Sequence, residues 1–387
     1  MPYWRLSAFY FFYFAALGTL MPYWGLYLQS LGFDAFAIGS LMAILMATKV
    51  VAPNVWGWLG DHLGHRMLLV RLASALSLVA LLAMFGVHGF LAIALVMTFY
   101  SFFWNASLPQ FEAVVFNHLG QDAERYSRLR LWGSVGFILT VVMVGWLVDR
   151  RGTDVVLPAL VVVFAGILLS SLLVGDGNGE LHESQPSILA VLKKPHVLAF
   201  FTAVFFMQMS HGPYYAFFSI YLQDHHYSKS DIGLLWSIGV IAEVLLFLFM
   251  HRLLRRWRSA AILRVSLVLA ALRWLLIGWF PGQVPVLVLA QLLHAASFGS
   301  FHASAIHMVH EYFRGRHQGR GQALYASLSF GAGGAVGTFA SGVIWEQWGA
   351  ALAYTMASAT ALLGAWVVWR YIPAGKVEVS ITTEEET

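Results

Sequence analysis

About twelve apolar runs, each near the roughly 20 residues a helix needs to cross a bilayer, fill this chain almost end to end. They fall at about 6–28, 36–58, 67–87, 89–116, 129–148, 155–174, 197–222, 231–251, 260–280, 285–309, 323–344 and 350–371. No run alternates polar and apolar residues as a barrel strand must. The spans are therefore expected to be helices, which satisfy their own backbone groups inside lipid. Charged residues make up 11% of the chain and apolar ones 59%; a soluble chain of this length would carry about twice that charge. An all-α integral membrane protein is expected.

The chain also repeats itself once. Tyr27-Leu28-Gln29 and Ile38-Gly39 return as Tyr221-Leu222-Gln223 and Ile232-Gly233, both at an offset of 194 (221 − 27 and 232 − 38). Pro22-Tyr23-Trp24 is echoed by Pro213-Tyr214-Tyr215, and Gly136, Gly145 and Gly152 match Gly333, Gly342 and Gly349 at an offset of 197. A duplicated, mostly apolar chain predicts twelve transmembrane helices in two pseudosymmetric six-helix bundles, with a substrate site between them. The bundles are expected at 1–174 and 197–371. A Gly-, Asp- and Ser-rich linker at 175–196 joins them, and a solvated tail at 372–387 ends in Glu384-Glu385-Glu386.

The net charge of +4 says little, because the basic residues are sorted by side. Arg66, Arg71, Arg125, Arg128, Lys193, Lys194, Arg252, Arg255, Arg256, Arg258, Arg314 and Arg320 fall on one side, with Arg5, Arg370 and Lys376 at the termini. The opposite loops hold Arg150, Arg151 and Lys229. This asymmetry predicts a multi-pass protein of the cell (inner) membrane with both termini cytoplasmic. The basic residues are orientation signals, and nucleic acid is not an expected partner. The first span is too long for a signal peptide and lacks a small-residue cleavage site, so it is expected to stay. Without cysteine the chain has neither disulfides nor thiolate metal sites.

Gly57-Trp58-Leu59-Gly60-Asp61-His62-Leu63-Gly64-His65-Arg66 joins the second and third spans. It resembles the G-x-x-x-D-[RK]-x-G-x-[RK]-[RK] signature of the major facilitator superfamily, departing from it at His62 and Met67. Glycines permit a tight turn, and Asp61 can accept from helix N-terminal amides and from Arg66. The resemblance implies a conformational latch at Gly57, Asp61, Gly64 and Arg66; a well-capped turn would look the same. The equivalent loop of the second half, 251–259, keeps arginines but lacks the Gly and Asp.

Asn105-Ala106-Ser107-Leu108-Pro109-Gln110-Phe111-Glu112-Ala113 and Arg128-Leu129-Arg130-Leu131-Trp132-Gly133-Ser134-Val135-Gly136 resemble the lactose permease branch in residue type and spacing. The resemblance implies that Glu112 and Arg130 hold substrate. Both are equidistant from the tip of the loop between their helices, hence at equal depth, about 13 Å or less inside. A charge inside the bilayer costs at least about 2.5 kcal/mol, so unpaired ones are rarely kept without function, although a structural ion pair has the same signature. Phe137 stands where the sugar permease has a tryptophan for its sugar, which weighs against a sugar. The segment Tyr227-Ser228 through Gly233-Leu234-Leu235-Trp236-Ser237-Ile238-Gly239-Val240-Ile241-Ala242-Glu243-Val244, with Arg255-Arg256, Arg273-Trp274 and Gln291-Leu292-Leu293-His294, resembles the 3-phenylpropionic acid transporter group.

The repeat places Lys49 opposite Glu243 (243 − 49 = 194), roughly 20 Å into matching helices. The interior then holds Lys49, Arg130 and Arg273 against Glu112 and Glu243, a surplus of one positive charge that suits a carboxylate substrate. Lys49 and Arg130 are expected to hold that carboxylate, with Glu112 positioning it or relaying. Glu243, freed from Lys49 when substrate binds, is expected to carry the proton. Arg273 lies on a helix usually peripheral in such folds, and a structural role is as plausible. The resemblance aligns His294 with a histidine of the sugar permease's proton pathway, but Ser297 and Gln291 replace its charged neighbours. Glu112, Glu243 and His294 are the candidate proton-coupling groups. His302, His307 and His310 share a span; titration or hydrogen bonding suits them better than metal binding, and neither metal nor cofactor is expected. Tyr10, Tyr13, Tyr23, Trp24, Tyr214, Tyr215 and Trp236 cluster in the first spans of each half. Tyr23, Tyr214 and Trp236 are expected to contact an aromatic substrate, although packing against lipid gives the same pattern.

Proton-coupled uptake of a small aromatic carboxylate by alternating access is thus the expected function, by a protein working as a monomer in the bilayer with protons as co-substrate. An oligosaccharide–proton symporter is the first rival. A drug–proton antiporter is the second, though 133–145 lacks the Gly-Pro bend of that class. A membrane sensor would need a signalling domain, and no nucleotide loop, nucleophile elbow or metal triad points to an enzyme.

Overall fold

A computed structural model of the chain describes residues 2–120, 122, 125–176 and 188–372, and these are helices and turns without a strand. Among the described residues eleven helical segments are long and apolar enough to cross a membrane. In the first half these are α1 (Tyr3–Ser30), α2 (Ala35–Leu63), α3 (Arg66–Leu82), α4 (Phe90–Leu119), α5 (Tyr126–Arg151) and α6 (Val156–Leu172). After a single turn, α7 (Leu189–Leu192), the second half opens with α8 (Pro195–Ser210) and α9 (Gly212–Asp224). These two halves of one span, broken at His211, supply the twelfth crossing. Then come α10 (Lys229–Arg256), α11 (Ser259–Trp279), α12 (Val284–His294) running through a π-helical turn into α13 (Ser300–Tyr312), α14 (Gln318–Ala326) running through a second π turn into α15 (Gly334–Trp348), and α16 (Ala350–Tyr371). Most of the expected linker, 177–187, and the Glu384–Glu386 tail lie outside the described residues.

Local chemistry places the ends. Asp34 caps α2 by accepting from the Ala37 amide at 2.8 Å, and Ser228 with Asp231 forms a capping box on α10. Gly152 and Gly349, a repeated pair, hold φ of +81° and +82° between α5 and α6 and between α15 and α16. Leu91, Val79, Val162, Leu169 and Leu248 stand exposed on the outer faces, as lipid-facing residues must.

The halves meet in two equivalent crossings, α2 against α15 and α5 against α10. The repeat explains why: adding 194 carries α2 onto α10, and adding 197 carries the end of α5 onto α15. Gly145 and Gly342 make these crossings possible. A Cβ on Gly145 would stand 2.5 Å from the Lys229 carbonyl oxygen, and one on Gly342 2.8 Å from that of Ala35. Asp149, on the last turn of α5, accepts from the amides of Lys229 and Ser230, each at 2.8 Å, at the start of α10. Glu346, on the last turn of α15, accepts from the Ala35 amide at 2.9 Å at the start of α2. Each acid lies on the positive end of a helix from the other half. Gln223 Nε2 donates to Gln29 Oε1 at 3.1 Å, a contact between two residues that are each other's repeat. Together these bonds seal the face opposite the termini.

Candidate functional site

Beneath this seal lies a cavity of about 410 Å³ between the halves, lined from α1, α2, α4, α5, α9, α10 and the two π-interrupted spans. Lys49 and Arg130 enter it from the first half, and Glu243, His294 and His302 from the second. Two cations against one carboxylate again leave one positive charge in excess, with both histidines counted neutral.

Neither cation lies within ion-pair distance of a described carboxylate, although Glu112 is close enough for Arg130 to feel its charge. Among the described residues the ion pairs are Asp61–Arg66, Asp122–Arg125, Glu243–His294 and Glu311–His307. Lys49 Nζ reaches only the Met46 sulfur, at 3.7 Å. The Arg130 guanidinium lies 3.8 Å above the Phe14 ring and 5.8 Å from that of Tyr10. Glu112 is turned away from the lining and accepts from the Tyr126 hydroxyl at 2.8 Å. Glu243 faces His294 at 3.2 Å rather than Lys49. The repeat fixes the height of Lys49 and Glu243 but not their direction, and His294, one helix away, is the nearer group.

The walls are aromatic. Tyr13, Trp104 and Phe137 face Tyr214, Trp236, Phe298 and Phe330 across the space. Trp236 packs 4.4 Å from Tyr214 and 6.4 Å from Phe137 of the other half, while its indole N–H donates to Ser219. Tyr214 donates to Gln291 Oε1 at 2.9 Å. Tyr23 stands elsewhere: its hydroxyl donates to the Val141 carbonyl at 2.6 Å and lies 3.3 Å from that of Lys229, within the seal and outside the cavity lining. Arg273 is fully buried behind Tyr214, its guanidinium 4.3 Å from that ring, with Nε donating to the Ala290 carbonyl. Phe298 and Phe330 received no weight from the sequence. The i, i+4, i+8 run His294, Phe298, His302 was the available signal, one helix face bearing alternately titratable and aromatic groups, and the three rings stack.

The turn after α2 ends at Gly64, with φ +70°. Asp61 pairs with Arg66, which also donates to Gln110 Oε1 at 2.8 Å on α4, so Asp61 and Arg66 bond within the first half. His307 bonds with Ser259 and His310 with Gln322. Among the described residues no three His, Cys, Asp or Glu side chains converge on a metal site.

The model of the MFS_1 like family matches residues 3–356. The Escherichia coli (strain K12) protein named "Probable 3-phenylpropionic acid transporter" is 30% identical over 365 residues, covering 90% of this chain and 92% of that one. The maltose permease of Geobacillus stearothermophilus is 26% identical, over 93% of this chain and 92% of its own. Among solved structures, the nucleoside transporter NupG superposes with a TM-score of 0.80 at 18% identity, covering 95% of this chain and 98% of that chain.

Proposed function

The chain belongs to the MFS_1 like family of major facilitator transporters, and from that premise we propose that it takes up a small aromatic carboxylate together with a proton. The supporting observation is that Lys49 and Arg130, neither of them directly ion-paired with a carboxylate, line one aromatic-walled cavity. Each cation at this depth in the bilayer is costly, and a carboxylate between them would offset part of that cost with charge-assisted hydrogen bonds. The aryl group of the same molecule would lie between Phe137 and the Tyr214–Trp236 pair. Its flat face suits their rings.

Coupling rests on Glu243 and His294. A proton taken up by this pair neutralises Glu243, and its release restores the carboxylate. The charged form is tolerated only where water or a cation reaches it. Substrate on the first-half cations and a proton on the second-half pair would together let the two halves close around a neutral load. With the basic loops taken as cytoplasmic, the sealed far face makes this the inward-facing state. Reversal would require the Asp149 and Glu346 contacts to part while the Asp61 turn engages the second half.

Proteoliposomes with an imposed pH gradient test this. Accumulation of 3-phenylpropionate that collapses with a protonophore is expected, and Arg130→Gln should abolish it. The maltose permease likeness favours a second substrate class, oligosaccharides. Gradient-driven uptake of maltose and indifference to arylalkanoates would replace the carboxylate reading with that one.

A further inference from the structure

The loop between α10 and α11 stands where the first half has its Asp61 turn, yet it carries arginines and no acid. Arg255, Arg256 and Arg258 meet Lys194, at the start of α8, and Arg314, just past α13, around a second cavity of about 770 Å³ on the face that carries the termini. Glu311 is the acid in its lining, and it faces His307 at 3.6 Å. Among the described residues no ion pair joins any of the five cations to a carboxylate. An orientation signal needs basic residues on one side of the membrane, but it does not require them to converge on a hollow. Five such charges around one hollow repel each other and attract anions.

The rest of the lining narrows the kind of anion. Buried Val197, Met308 and Ile372 make an apolar floor, and exposed Trp257 stands at the rim. Helices α8 and α11 begin here with Lys194 and Arg258 at their caps and no side-chain acceptor for their first amides. An apolar floor beneath a cationic rim, at the level where transmembrane helices end, fits an amphiphile better than a soluble ion. We infer that this cavity binds the phosphate-bearing headgroup of an anionic phospholipid from the leaflet on the termini face. The arginines take the phosphate and the floor takes the upper part of an acyl chain.

Native mass spectrometry of the detergent-solubilised full chain, titrated with diphosphatidylglycerol or phosphatidylcholine, tests the site. The anionic lipid should bind at least about tenfold tighter. Each cation at a lipid surface is worth about 1 kcal/mol, so Arg256→Gln with Arg258→Gln should weaken it about thirtyfold. Arg255→Gln with Arg314→Gln should match that loss, which guards against one pair failing to fold. Arg252→Gln, on the same helix but outside the lining, should leave it unchanged. Equal loss with Arg252→Gln, or equal binding of both lipids, would overturn the site. Displacement of the lipid by millimolar inorganic phosphate would make it a soluble-phosphate site instead. Lipid binding that rises tenfold once residues 373–387 are removed would make the chain's own acidic end the occupant.

Discussion

Lys49 and Glu243 illustrate what one residue's position in the sequence can and cannot convey. The repeat put both at one depth, and both line the cavity. Their expected partnership depended on side-chain direction, which an offset does not carry. Glu243 faces His294, and Lys49, without a direct ion pair, is the cation we propose for the substrate. Replacing Lys49 with Gln should therefore lower kcat/KM for an arylalkanoate about 10- to 100-fold, the value of a hydrogen bond to a charged group. Lys49→Arg should recover part of the loss. Equal loss in both would point to packing rather than charge. Glu243→Gln cannot exchange a proton, so pH-driven accumulation should vanish while exchange of labelled for unlabelled substrate across the membrane persists. Loss of exchange as well would place Glu243 in substrate binding and leave the proton to another group.

At the scale of elements, the spans were legible because apolar length sets them. The interruptions were not. Pro213 removes one amide from the α8–α9 helix near the break at His211, but the π turns at 295–299 and 327–333 contain no proline to announce them. The seal was half legible. The repeated glycines were visible, but the acids that reach into the other half were not, since Asp149 and Glu346 look like ordinary loop charges. Each should stabilise the sealed face by about 0.3–2 kcal/mol as an anion at a helix N-terminus. Because the chain lacks cysteine, a Gln29→Cys reporter makes this measurable. Asp149→Asn or Glu346→Gln should raise its labelling by a membrane-impermeant maleimide about 2- to 30-fold, and the double change should raise it further. Gly145→Ala should raise it too, because the added Cβ meets a backbone carbonyl that moves only with the start of α10. Unchanged labelling in all of these would remove the acids and the glycine from the gate.

For the molecule as a whole, duplication decided more than composition did. It fixed two bundles, paired α2 with α15 as α5 pairs with α10, and set the cavity on the axis between them. It left the substrate open, because a repeat is silent about the positions where the halves differ, such as Lys49 against its counterpart Glu243, or Phe14 under Arg130. Near that axis Gln29 touches Gln223 at the sealed face, and the two must separate in any cycle that exposes the cavity to the other side. A short bifunctional thiol-reactive cross-linker, such as a bis-maleimide, joining Gln29→Cys and Gln223→Cys should hold the seal shut. Uptake should stop when the bridge forms and return when a cleavable version is cut, while each single variant transports unbridged. Ligand should still reach the cavity of the bridged protein from the termini face, so equilibrium binding should persist in detergent. Sustained uptake by the fully bridged protein would mean that substrate crosses without the halves parting, and alternating access would have to be abandoned for this chain.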